Sequence, residues 1–178
     1  MNSLVLGKYA STKVMQEIMD VAQENVDSTT IVIVKNDDNP SDKNLVIHQQ
    51  SMMGDVCDLL WEASKLDQNK PLLIASSNGY LVNGHNPLLY CDVEIFCSET
   101  SLAGFKFDKN KTLVESGDLN GNQAYKIYFK RTSDFVASAE KIIMEGKITD
   151  GRYSIKTVIN QMILWNESIS VMPLTKME

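Results

Sequence analysis

Residues 71–80, Pro-Leu-Leu-Ile-Ala-Ser-Ser-Asn-Gly-Tyr, decide how this chain is to be folded. Pro71–Ala75 is apolar without alternation. A strand with one solvated face would carry a polar residue at every second position, so this run reads as a strand covered on both sides. Ser76-Ser77-Asn78-Gly79 then closes it as a turn, because Asn and Gly both accept positive φ. Just upstream, in Met52–Ala63 (MMGDVCDLLWEA), the apolar Val56, Leu59, Leu60 and Ala63 recur at helical spacing. That spacing predicts a helix from Gly54 to about Lys65. A helix feeding a doubly covered strand is the repeating unit of an α/β sheet.

The same unit recurs towards the N-terminus. Leu4–Leu6, ended by Gly7, reads as a first strand. Residues 12–25 read as an amphipathic helix with Val14, Ile18, Met19 and Ala22 inward, and Ser11 or Thr12 offers the N-cap. Thr29–Val34 (TTIVIV) is a β-branched buried strand, Asn36–Asp42 a loop by composition, and Leu45–Ile47 a short strand. Towards the C-terminus, Val93–Phe96 and Ala124–Phe129 read as strands. Leu102–Phe107 and Thr112–Glu115 flank a hairpin turn at Asp108–Lys111. Ser133 offers a cap for a helix whose inner face is Phe135, Ala139, Ile142 and Ile143. A helix from Tyr153 to about Leu164 and a strand at Ile169–Met172 close the pattern. Trp61 and Trp165, at helical positions, are expected in the core. With no internal repeat, low-complexity tract or linker, residues 1–178 read as one domain.

Composition narrows the function. Of 178 residues, 43% are hydrophobic and 22% charged, enough apolar material for a sizeable core. The net charge of −6 argues against nucleic acid and anionic membrane surfaces as partners, since both reward a basic patch. No window is long and apolar enough to span a bilayer, and the N-terminal apolar run is too short for a signal-peptide core, so a cytoplasmic location is expected. Cys57, Cys91 and Cys97 form no CxxC pair, and His48 and His85 are too few for a His-rich metal site. Cys91 has no evident base to activate it, and His85 falls in a Gly/Asn/Pro loop expected at the surface.

The two quoted stretches resemble the middle of the nucleotidyltransferase domain of sugar-nucleotide pyrophosphorylases, most closely enzymes linked to capsule and surface-polysaccharide synthesis. A third stretch, Gln123–Ile163, is similar to that family's aromatic strand followed by a Ser-Asp-Phe helix start. Phe105–Glu115 looks like its strand-turn-strand, and Ser3–Val34 is compatible with its first strand, helix and second strand. The likeness covers about three quarters of the chain. It implies an α/β, Rossmann-like, three-layer nucleotidyltransferase (GT-A-like) fold with a mixed, mainly parallel sheet. It implies chemistry in which a nucleoside triphosphate is joined to a sugar phosphate and pyrophosphate is released, with Mg²⁺ held by aspartates.

The resemblance also marks departures. The long Gly-rich phosphate loop is replaced by Gly7-Lys8-Tyr9-Ala10-Ser11, with Lys8 its sole cation. The metal-binding aspartate falls on Asn78, an uncharged amide. The lysine of a Glu-Lys pair falls on Ser116, and a glycine beside the sugar falls on Lys126. The second metal aspartate is expected at about the point where this sequence stops. Lys8, Gly54 and Asn78 are therefore the candidate nucleotide-binding residues, with no catalytic or metal residue assigned and Mg²⁺ only if the protein is active. Gly54 reads equally as a base-contacting glycine or as a helix-start turn residue. Asn78-Gly79 reads as the relic of a metal site or as a plain turn. Asp92 and Glu94 alternate with apolar residues and are expected on a solvated strand face, with replacement metal ligation as the alternative.

Three functions stay open. One is a catalytically impaired module that binds a nucleotide or sugar nucleotide, or that regulates, as a homo-oligomer or with an active paralogue. The second is an active transferase with a rearranged site using Lys8, Asp92 or Glu94. The third is an interaction protein that keeps only the fold.

Overall fold

The computed structural model describes residues 1–7, 10–24, 29–34, 45–47, 53–82, 87–88, 90–119 and 123–174. In chain order the elements are β1 (Asn2–Leu6), α1 (Thr12–Glu24), β2 (Thr29–Val34), β3 (Leu45–Ile47), α2 (Asp55–Ala63), β4 (Leu72–Ser76) and α3 (Ser77–Tyr80). There follow β5 (Val93–Cys97), α4 (Glu99–Leu102), β6 (Lys106–Phe107), β7 (Leu113–Glu115), β8 (Tyr125–Phe129), α5 (Thr132–Met144), α6 (Ile155–Leu164) and β9 (Ile169–Pro173). The loop expected at Asn36–Asp42 lies outside the described residues.

Among the described residues, seven strands form one sheet in the order β3-β2-β1-β4-β8-β5-β9. Strand β8 alone runs against its neighbours; the β1–β2, β1–β4, β2–β3 and β5–β9 pairs are parallel. The sheet is thus mixed and mainly parallel, as the sequence pattern implies. It is flanked by helices on both faces. Leu72, Ile74, Val93, Ile95, Tyr125, Ile127 and Phe129 face α2, α5 and α6 and bury Val56, Leu59, Phe135, Ile142 and Val158 with them. The alternate residues Val5, Leu73, Ala75, Phe96 and Tyr128 face α1 and α3, against Ile18, Met19 and Tyr80. The continuous apolar runs of β1 and β4 are buried at every position because each face meets a helix layer.

Several local expectations are corrected. Residues after Ser76 do not make a positive-φ turn. Ser76 Oγ accepts from the Gly79 amide at 3.1 Å and winds them into the short α3. Leu102 does not begin a strand, because Ser98 Oγ accepts from the Ser101 amide and caps α4 through it. Of the expected strand only Lys106–Phe107 pairs, antiparallel with β7. The hairpin turn is where expected, with Asp108 Oδ1 accepting from the Asn110 and Thr112 amides at 2.8 and 2.9 Å. Helix α5 is capped at Arg131, not Ser133. The amides of Thr132 and Ser133 donate instead to the carbonyls of Lys70 and Gln68, tying the helix start to the loop before β4. Trp61 is 61% exposed, on the outer side of α2 with Lys65 Nζ 4.9 Å from its ring centre, and Trp165 is also exposed.

Candidate functional site

Because β1, β4 and β5 run the same way, their carboxyl ends share one edge of the sheet, where open α/β sheets receive ligands. The starts of α2 and α3 lie on that edge, and so does the amino end of the antiparallel β8. Ser76 organises it. Its Oγ, fully buried, accepts from the Gly79 amide and from the Tyr125 amide, both at 3.1 Å, joining β4, α3 and β8. Gly79 is locked against this joint: a Cβ there would overlap the Tyr125 carbonyl oxygen. Its φ is not positive, so the glycine is needed for close approach rather than for turning.

Of the three candidate residues, Lys8 lies outside the described residues. Asn78 is exposed, in the first turn of α3, directly after the carboxyl end of β4. Gly54 sits at the N-cap of α2 with φ 110°, and a Cβ there would strike the Tyr153 carbonyl oxygen. The Tyr153 amide donates to the Met53 carbonyl at 2.7 Å, so residues 53–54 are seated on the segment that leads into α6. That geometry accounts for Gly54 as a packed helix-start residue. No hydrogen bond among the described residues joins Gly54 to Asn78.

Two residues that sequence reasoning undervalued stand out on the α1/α3 face. Lys126, opposite Ala75 on one side and Phe96 on the other, is only 7% exposed. Its Nζ donates to the Val82 carbonyl at 2.6 Å, and among the described residues it makes no ion pair. Burial holds its pKa below the ordinary lysine value. Glu94 is not on a solvated face as expected; it is 3% exposed, and its Oε2 accepts from the Leu88 amide at 3.1 Å. Glu94 faces Tyr128, whose hydroxyl is pushed up to about 12, first by burial and then by the charges of Glu94 and Tyr80. A signal for Lys126 was present: it sits inside YKIYF, a strand too apolar on both sides of the lysine to be an edge.

Asp92 serves packing. Its Oδ2 accepts from Ser168 N at 2.9 Å and Ser168 Oγ at 2.6 Å, which lowers its pKa and fixes the entry to β9. Cys97 is buried, and burial pushes its thiol up to about 11, against nucleophilic use. His85 lies outside the described residues. Ser116, at the expected lysine position, is buried with its amide donating to Asn160 Oδ1 at 2.8 Å, while Glu115 pairs with Lys106 at 2.6 Å.

A hard divalent cation such as Mg²⁺ wants carboxylate oxygens. At the carboxyl end of β4 the candidate donor is the neutral Asn78, and among the described residues no group of three or more His, Cys, Asp or Glu stands together. The donor set of the described edge does not fit Mg²⁺. No helix among the described residues is long and apolar enough to cross a membrane.

No protein-family model matches the sequence, and no curated relative does. Solved structures do resemble it. A nucleoside-diphosphate-sugar pyrophosphorylase from Vibrio cholerae RC9 superposes with a TM-score of 0.67 at 12% identity, over 99% of this chain and 93% of that one. A 4-diphosphocytidyl-2C-methyl-D-erythritol synthase from Anaerococcus prevotii gives 0.62 at 12% identity, over 99% and 90%. The CTP:phosphocholine cytidylyltransferase of Streptococcus pneumoniae gives 0.58 at 11% identity, over 98% and 90%. The likeness spans nearly the whole chain and includes the mixed, helix-flanked sheet, so this protein has the fold of the sugar-nucleotide pyrophosphorylases and cytidylyltransferases.

Proposed function

We propose that residues 1–178 form one nucleotidyltransferase-like domain that binds a nucleotide or sugar nucleotide in the cytoplasm, in sugar-nucleotide or capsular polysaccharide metabolism, with impaired catalysis. The observation that carries this reading is the chemistry of the carboxyl edge. The scaffold of β4, α3 and β8 is intact around Ser76 and Gly79, yet the side chain presented there is the amide of Asn78. A transferase must offset the charge that develops on the triphosphate, and a neutral amide supplies little of that. A rearranged transferase using Asp92 and Glu94 as metal ligands finds no support, since Ser168 occupies the one carboxylate and the Leu88 amide binds the other.

The test is thermal unfolding of the full chain against a panel of nucleoside triphosphates and nucleotide sugars, each with Mg²⁺ and with chelator. A ligand at a hundredfold excess over Kd adds about 2.7 kcal/mol to stability, which moves the midpoint of a domain this size by several degrees. The expected result is a shift with one nucleotide class and no metal-dependent release of pyrophosphate. Absence of any shift would overturn the binding reading. Turnover that Asn78→Ala abolished would overturn the impairment.

A further inference from the structure

The mismatch between the described edge and a divalent cation raises the question of what else there is to meet a phosphate. A lysine taken out of water loses solvation that a single neutral acceptor does not restore, so a buried ammonium calls for a compensating anion. Lys126 is such a group. One of its three donors is used by the Val82 carbonyl, and no carboxylate among the described residues lies within ion-pair distance. The carboxylate nearest by register, Glu94, stands opposite Tyr128 further along β5 and is held by the Leu88 amide. The position is also the right one. Lys126 pairs with Ala75, next to Ser76 and the start of α3, at the ligand-receiving edge. The same strand end holds a second unsatisfied polar group: Ser77 Oγ is buried, in a residue 1% exposed, with no hydrogen-bond partner among the described residues.

We propose that Lys126 is the anion anchor of this edge, its ammonium binding a phosphate oxygen of the ligand directly and without a divalent cation. The inference rests on the nucleotide-binding reading above and adds how the charge is met. An ammonium with two donors that no described residue takes up can donate to a phosphate oxygen while keeping the Val82 bond, and such a bond strengthens where water is excluded. No covalent step is involved.

The experiment uses the full chain with isotope-labelled lysine side chains, in excess chelator, titrated with inorganic pyrophosphate and then with the nucleoside triphosphates. The Lys126 signal is assigned by its loss in Lys126→Met. The expected result is a saturable shift of that signal, at least tenfold weaker binding by Lys126→Met, and binding retained by Lys126→Arg. A Lys126 signal that stays still while ligand binds, or Lys126→Met binding as wild type does, overturns the proposal. Lys126→Arg also removes that lysine signal and gives the same assignment if Lys126→Met fails to fold, so the wild-type signal still decides the matter. Binding that appears only with Mg²⁺ overturns metal-free anchoring and leaves the nucleotide-binding reading standing, whereas no binding in either condition overturns both.

Discussion

The two faces of the sheet are built from the same strands yet have different characters. On the α2/α5/α6 side, β5 and β8 present Val93, Ile95, Cys97, Tyr125, Ile127 and Phe129, and the helices answer with Phe135, Ala139, Ile142 and Val158. On the α1/α3 side the same two strands present Glu94, Phe96, Lys126 and Tyr128. The first face is a dense apolar core whose purpose is stability. The second buries an acid, a lysine and a tyrosine under a thinner apolar cover and adjoins the ligand-receiving edge. A chain does not bury charge for stability, since apolar residues of similar volume do as well or better. The contrast is the one expected if Lys126 anchors a ligand on the α1/α3 side, as proposed above.

The contrast predicts graded effects. The largest belongs to the apolar face: Phe135→Ala, which removes a fully buried ring in edge contact with Phe129 at 5.3 Å, should cost about 3–5 kcal/mol in denaturant unfolding. Next is the joint between faces. Gly79→Ala drives a methyl into the Tyr125 carbonyl and should cost about 3 kcal/mol, with loss of any nucleotide-induced thermal shift as α3 is displaced. A Gly79→Ala protein as stable as wild type would mean that the β4–α3–β8 joint is soft.

Smaller effects come from the polar groups. Asp92→Asn weakens the tie to Ser168 and should cost about 0.5–1 kcal/mol near neutrality. The pKa of Asp92 is lowered in the folded protein, so its contribution is complete above the usual aspartate range and is lost as pH falls through the lowered value. Acid titrations of wild type and Asp92→Asn should therefore converge at low pH. The smallest effect is the pH signature of Lys126. Its folded pKa is depressed by burial, so protonation favours the unfolded chain. The penalty is present below the depressed value and is relieved as pH rises towards the ordinary lysine value. Wild-type stability relative to Lys126→Met should rise between neutral and alkaline pH; a flat difference would mean that Lys126 is solvated.

Much of the fold was readable in the sequence. TTIVIV falls on β2, PLLIA lacks alternation because both faces of β4 are covered, and the helical spacing from Gly54 to about Lys65 marks α2 at Asp55–Ala63. The site was less readable. Gly54 and Asn78 are candidates through the family resemblance alone, and the close packing of Gly54 depends on Tyr153 lying against it, a contact with no local signature. In the sequence Lys126 stands out only as the position where the resemblance places a glycine. Its burial follows from β8 lying between β4 and β5, which is a matter of strand order.

By itself the sequence determined the α/β class, most of the strands and the neutral amide at Asn78. These are written locally, as apolar runs, helical periods and side-chain identity. Only the tertiary structure decided that Trp61 faces outward, that Gly79 must be bare for the backbone of Tyr125, that Glu94 is buried and that Lys126 has, among the described residues, a carbonyl and no carboxylate for company. Each of these depends on which distant segment is brought alongside, and burial and charge compensation are properties of that neighbourhood rather than of the residue.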